Sequence, residues 1–122
     1  MCELEDSEDF GEIEKFIGRE VEIVGKIVHL DEDFPKKKFT QLCLENVKIR
    51  VDEKVFENPM PTMWVQCPAE VLPQGLDIDQ KVILRGILKK EKHWYADWWC
   101  GYIEWYELTL IDIKQVKVLE IE

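Results

Sequence analysis

The window His93 to Tyr106 (HWYADWWCGYIEWY) holds four of the chain's five tryptophans and all three of its tyrosines. Each such ring brings roughly 150–250 Å² of surface, more than one small interior can take from so short a stretch. Successive side chains on an extended strand point to opposite faces. The neighbours Trp94–Tyr95, Trp98–Trp99 and Trp105–Tyr106 are therefore each expected to send one ring inward and one outward. Part of the window must then lie at the surface, and a cluster of exposed rings marks a binding surface rather than a packing accident.

Elsewhere the pattern is that of short strands. Residues 8–18 place Phe10, Ile13, Phe16 and Ile17 on one side of a short helix closed by Gly18. Period-two alternation begins at Arg19 and runs to about residue 30, with Gly25 as a kink or bulge. A second strand is expected at 39–45, with Thr40, Leu42 and Leu44 on one side and Phe39, Gln41 and Cys43 on the other. A tight turn at Glu45-Asn46 leads to a third at 47–52, with Val47, Ile49 and Val51 inward. Pro59, Pro61, Pro68 and Pro73 forbid a long helix or a central strand over 53–80. That stretch is read as a turn of helix near Lys54–Glu57 and a brief extended piece at 64–67. A fourth strand follows at 81–90 with a kink at Gly86, and a fifth at 102–118. In the fifth, Leu108 and Leu110 and then Ile111, Ile113, Val116 and Val118 point inward, so a bulge is required near Leu110–Asp112. The domain plan is an acidic leader and short helix over 1–18, then one β-domain over 19–122.

Charge separates these two parts. Residues 1–14 hold seven acids and no base, and removing those seven from 26 acids leaves 19 against 16 bases. The leader reads as a solvated segment, or as a mimic of nucleic-acid charge. No apolar run reaches the roughly 20 residues of a membrane span, and MCELEDSEDF is acidic where a signal peptide is basic. A soluble, cytoplasmic protein with no membrane partner is expected. Cys2, Cys43, Cys67 and Cys100 form no CxxC pair, and His29 and His93 are isolated in sequence, so free thiols and no metal site are expected. No nucleophile–base pairing or phosphate-cradling glycine loop is present. The expectation is a protein that is not an enzyme and carries no cofactor, with Asp77, Asp79, Asp31, Glu32 and Asp33 as turn residues.

The strand order, the kink in VEIVGKIV, the phrase LDIDQKVILRGIL and the closing DIKQVKVLEI together resemble the OB-fold over about residues 19–118. In length and plan the chain is similar to the small single-OB subunits of archaeal replication protein A and of telomere-capping complexes. The resemblance implies an all-β, five-stranded Greek-key barrel with a short N-terminal helix and an extended aromatic hairpin between strands four and five. It also implies a ligand track over strands two and three and over the loops between strands one and two and strands four and five. Carried onto this chain, the first loop supplies Lys36, Lys37 and Lys38, strand two Phe39, and strand three Lys48 and Arg50. The second loop supplies Lys89, Lys90 and Lys92 and then the rings Trp94, Tyr95, Trp98, Trp99, Tyr102 and Trp105.

Cations that track phosphates beside rings that stack on bases are the means by which single strands are held. The expected ligand is single-stranded nucleic acid, DNA ahead of RNA, under an arm formed by residues 89–106. The alternative is an interaction subunit whose aromatic arm docks a larger OB-fold subunit or a second copy of itself. Two features favour that alternative: the outer face of the second strand offers only Phe39 as an aromatic, and the chain is acidic overall.

Overall fold

The computed structural model describes residues 9–31, 39–99 and 101–119, with the side chains of Tyr95 and Asp97 outside that description. The strands are β1 (Glu20–Asp31), β2 (Phe39–Val51), β3 (Lys54–Glu57), β4 (Thr62–Pro68), β5 (Lys81–Asp97) and β6 (Gly101–Val118). They form one antiparallel sheet in the order β3-β2-β1-β5-β6, with β4 also pairing β2. β4 lies against β6, where the Thr109 hydroxyl donates to the Trp64 carbonyl, but these two strands share no ladder. The barrel anticipated from the sequence is therefore not closed among the described residues. The core is a single cluster in which Ile23, Ile27, Leu42, Leu44, Ile49, Val82, Leu84 and Leu88 are fully buried.

Several expectations are corrected. The supposed second and third strands are one strand, β2. Asn46 does adopt a left-handed φ of 53°, as a turn residue would, yet the chain continues straight on. β1 pairs Val24 with Lys48 but Lys26 with Glu45, so β2 carries one extra residue there, a bulge opposite Gly25. Lys54–Glu57 is not helical. It is an edge strand that folds back on β2 through the two-residue turn Asp52-Glu53, with Asp52 at φ 55°. The N-terminal helix is only a 3₁₀ turn, Gly11–Phe16, which buries Ile13 and Phe16 and leaves Ile17 exposed. Ile111 faces solvent instead of the core.

The bulge near Leu110–Asp112 is present. Ile87 pairs with Ile111 while Arg85 pairs with Gln115, and Asp112 has a φ of 51°. The extended piece at 64–67 is also present, within β4, where Met63, Val65 and Cys67 are buried.

Both mid-strand glycines sit opposite bulges. A Cβ at position 86 would come within 2.9 Å of the Ile111 carbonyl oxygen, and one at position 25 within 3.0 Å of Val47 Cγ2. Removing the side chain lets the doubled-over partner strand press against the sheet, which is how a strand bends sharply without opening.

β1 pairs β5 only as far as Ile87, whereas β5 and β6 stay paired to Asp97–Gly101. Residues 89–97 and 101–109 thus form an arm about 30 Å long. The 3₁₀ turn braces its base. Glu14 meets Lys90 at 2.7 Å, and Lys90 lies over the rings of Phe10 and Tyr106, at 5.1 and 4.9 Å. Glu12–Lys54 and Arg19–Asp52 hold the turn on its other side.

Candidate functional site

The register of the arm decides what each of its faces carries, because directly paired residues share a face. One face continues the core outward through Lys90–Leu108, Lys92–Tyr106, Trp94–Glu104 and Ala96–Tyr102. The other carries Lys89–Thr109, Glu91–Glu107 and His93–Trp105. An isolated two-stranded ribbon is marginal in water, and cross-strand contacts hold both sides of this one. His93 stacks on Trp105 (5.5 Å, 19°), and Trp94 stacks on Tyr102 (5.5 Å, 28°). Glu104 accepts from Lys92 at 3.0 Å and from the Tyr102 hydroxyl, and its carboxyl is held below the usual carboxylate range, chiefly by Lys92.

The outer face of β1, β2 and β4 has its own rows. His29, Cys43 and Trp64 stand side by side, followed by Asp31, Gln41 and Gln66, and Phe39 lies beyond them opposite Pro68. Between this face and the His93 face of the arm runs a groove of about 720 Å³. Its rings are His29, Phe39, Trp64, His93 and Trp105, and its polar groups include Gln41, Gln66, Glu91 and Glu107. Phe39 is 45% and Trp64 40% exposed, and His29 leans on Trp64 at 5.6 Å. His93 Nε2 lies 3.0 Å from Glu107 and 3.7 Å from Glu91. Between His29 and Trp64 in their row, the Cys43 thiol is pushed up from its usual value chiefly by burial, against a lowering hydrogen bond with Thr62 and with smaller raising effects from Glu107 and Glu45. Burial also pushes the Cys67 thiol up, to about 12. Among the described residues no group of His, Cys, Asp and Glu gathers as a metal site, and no helix is long and apolar enough to cross a membrane.

The residues singled out from the sequence do not converge on one place. Phe39 and Trp105 line the groove. Trp94, Trp98, Trp99 and Tyr102 are exposed by 61, 90, 75 and 55%, but on the opposite face of the arm and at its tip. The expectation of one ring in and one out fails at Trp98–Trp99, because both occupy the turn, edge to face at 5.3 Å. Lys89, Lys90 and Lys92 each stand beside a carboxylate, of Glu91, Glu14 and Glu104 respectively. Lys48 and Arg50 are exposed on β2 beyond its bulge and line other depressions, and Arg50 bonds Glu22, which Arg85 also reaches. Lys36, Lys37 and Lys38, and the side chain of Tyr95, lie outside the described residues.

Sequence reasoning missed Trp64, Gln66 and Glu107. The alternation Met63, Val65, Cys67 was a sufficient signal that Trp64 and Gln66 face outward, but the surrounding prolines obscured it. With Trp64 on the same face as Phe39, one row of amides between them, the outer sheet face is no longer poor in aromatics. Among known proteins, no family model matches this chain and no curated protein matches it.

Proposed function

We propose that this chain is a non-catalytic module of OB type that holds single-stranded nucleic acid in the groove between β2–β4 and the arm. The strand pairing supports the fold reading. β1 pairs with β2 and β5, β2 with β4, β5 with β6, and β4 lies against β6, with β3 an added edge strand. A partly open five-stranded Greek-key barrel has this scheme, and its ligand face is that of its second and third strands, here β2 and β4. The observation that carries the functional reading is the set of partly exposed rings, Phe39, Trp64 and Trp105, around one groove with the amides of Gln41 and Gln66 between them. Stacking on such rings contributes about 1–3 kcal/mol per base.

The arm lysines are already paired with acids, so little phosphate attraction is left to them. Binding is then carried by stacking, with a shallow salt dependence: three loop lysines would give a slope no steeper than about −2, at roughly −0.7 per phosphate. Titration of dT oligomers against tryptophan fluorescence tests this. Quenching whose affinity Trp64→Ala weakens by roughly five- to 150-fold, the equivalent of one stacked base, is the expected result; no response to dT or to mixed-sequence oligomers at low salt refutes it.

A second reading rests on the rings outside the groove. Four large aromatic side chains exposed on the back and tip of the arm suit docking to a larger subunit or to a second copy. Size-exclusion with light scattering on the wild type and Trp98→Ala tests self-association, and an unchanged monomer in both rules it out.

A further inference from the structure

The groove has walls of different character. Its sheet side carries Phe39 and Trp64 with the amides of Gln41 and Gln66, directly paired across β2 and β4. Its arm side carries Glu91 and Glu107, directly paired across β5 and β6, with His93 between their carboxylates. Two carboxylates on that wall disfavour phosphate there, since like charges at close range repel. An ionised carboxylate is purely an acceptor with about four lone-pair sites, so among the described residues the contact from His93 takes up only part of Glu107's capacity. Glu107 itself lines the groove, beside Trp105 and Thr109.

We propose that Glu107, supported by Glu91, selects bases whose edges offer two adjacent donors, guanine above all, and disfavours thymine. This inference rests on the groove being a nucleic-acid site. Guanine presents N1–H and the N2 amino group side by side, a fork that fits one carboxylate. Thymine presents a single N3–H between two carbonyl oxygens, and both carbonyls are repelled by the same wall. A stacked guanine on Trp64 or Phe39 would turn this edge toward the arm and leave its phosphate on the side away from the two carboxylates. The strand thus crosses the groove with bases to the arm and backbone away from it.

The test uses dT oligomers carrying one guanine, or one inosine, which lacks the N2 amino group, read by tryptophan fluorescence on the full chain. A well-formed two-bond base contact gives roughly five- to 150-fold discrimination. The guanine oligomer is expected to bind at least about tenfold tighter than dT, with inosine in between. Glu107→Gln, which keeps an acceptor for His93 and removes the charge, should collapse the guanine–inosine gap. Glu91→Gln, probed in parallel, should narrow it, and a folded far-ultraviolet spectrum qualifies each variant.

Equal affinity for guanine and dT oligomers overturns the selection while leaving the groove reading intact, as does a gap that survives Glu107→Gln. Failure of every oligomer to bind overturns both. Binding of an arginine-bearing peptide in place of any oligomer does the same, because its guanidinium offers the same fork.

Discussion

Gly86→Ala tests the packing that sets the direction of the arm. Gly86 does not occupy the left-handed region, so an alanine there meets only a steric obstacle. Its Cβ would stand 2.9 Å from the Ile111 carbonyl oxygen, 3.2 Å from Ile113 Cγ1 and 3.4 Å from Ile113 Cα. Two of these three neighbours are backbone atoms at the β6 bulge, which no rotamer change can clear. Overpacking of this kind costs about 1–3 kcal/mol, and the reduced freedom of the unfolded chain returns about 0.4–1 kcal/mol. A net loss of about 1–2 kcal/mol follows, equal to a fall in Tm of roughly 3–10 °C for a domain of this size. Gly25→Ala is the internal comparison, because its nearest neighbours are the side-chain atoms Val47 Cγ2 at 3.0 Å and Leu44 Cβ at 3.1 Å. Val47 Cγ2 can move by rotation whereas Leu44 Cβ, fixed to its backbone, cannot, so this variant should lose less than Gly86→Ala, on the order of 1 kcal/mol. Urea unfolding followed by far-ultraviolet circular dichroism reads both. A Gly86→Ala protein as stable as the wild type, or more stable than Gly25→Ala, would show that β6 does not press on β5 at this point.

Acid should loosen the N-terminal turn. The hydrogen bond from Lys90, followed by the one from the Phe10 N–H, holds the Glu14 carboxyl below the usual carboxylate range, and Lys54 does the same for Glu12. Groups with depressed folded values stabilise above their unfolded pKa, and that contribution is lost as pH falls through the folded value. Stability is therefore expected to decline on the acid side of the ordinary carboxylate range, and Glu14→Gln should flatten that decline. An acid limb of the same steepness in the variant would contradict this. Cys67, fully buried and with its thiol pushed up to about 12, should resist alkylation in the folded protein at mildly alkaline pH and react once urea is added. Peptide mapping that finds it labelled under native conditions would count against the packing of β4.

What was legible in the sequence follows from how local each signal is. Alternation over Glu20–Ile23 and Val47–Asp52, and the parity break after Leu110, depend only on neighbouring residues, and β1, the end of β2 and the β6 bulge lie where they indicate. Asn46 misled because a left-handed residue serves a bulge as readily as a turn, and only the partner strand, with Gly25 opposite, decides which. Lys54–Glu57 has no apolar pattern of its own and is a strand because β2 offers it an edge. The groove was legible only in part. Phe39 and Trp105 belong to it, but Trp64 enters through the long-range pairing of β4 with β2, and the lysines flanking the aromatic window are neutralised by Glu14, Glu91 and Glu104, two of which are distant in sequence from their partners. Charge counted along a chain says nothing about which ions meet.

The edge-to-face indoles of Trp98 and Trp99, 5.3 Å apart at 83° at the end of the ribbon, have a spectroscopic consequence. Chromophores so near and so steeply inclined share their excitations. They therefore add a paired positive and negative band to the far-ultraviolet spectrum that no backbone conformation produces. Helix content fitted to such a spectrum would be wrong, yet the same band, absent from a Trp99→Leu protein, would report the order of that tip without any attached label.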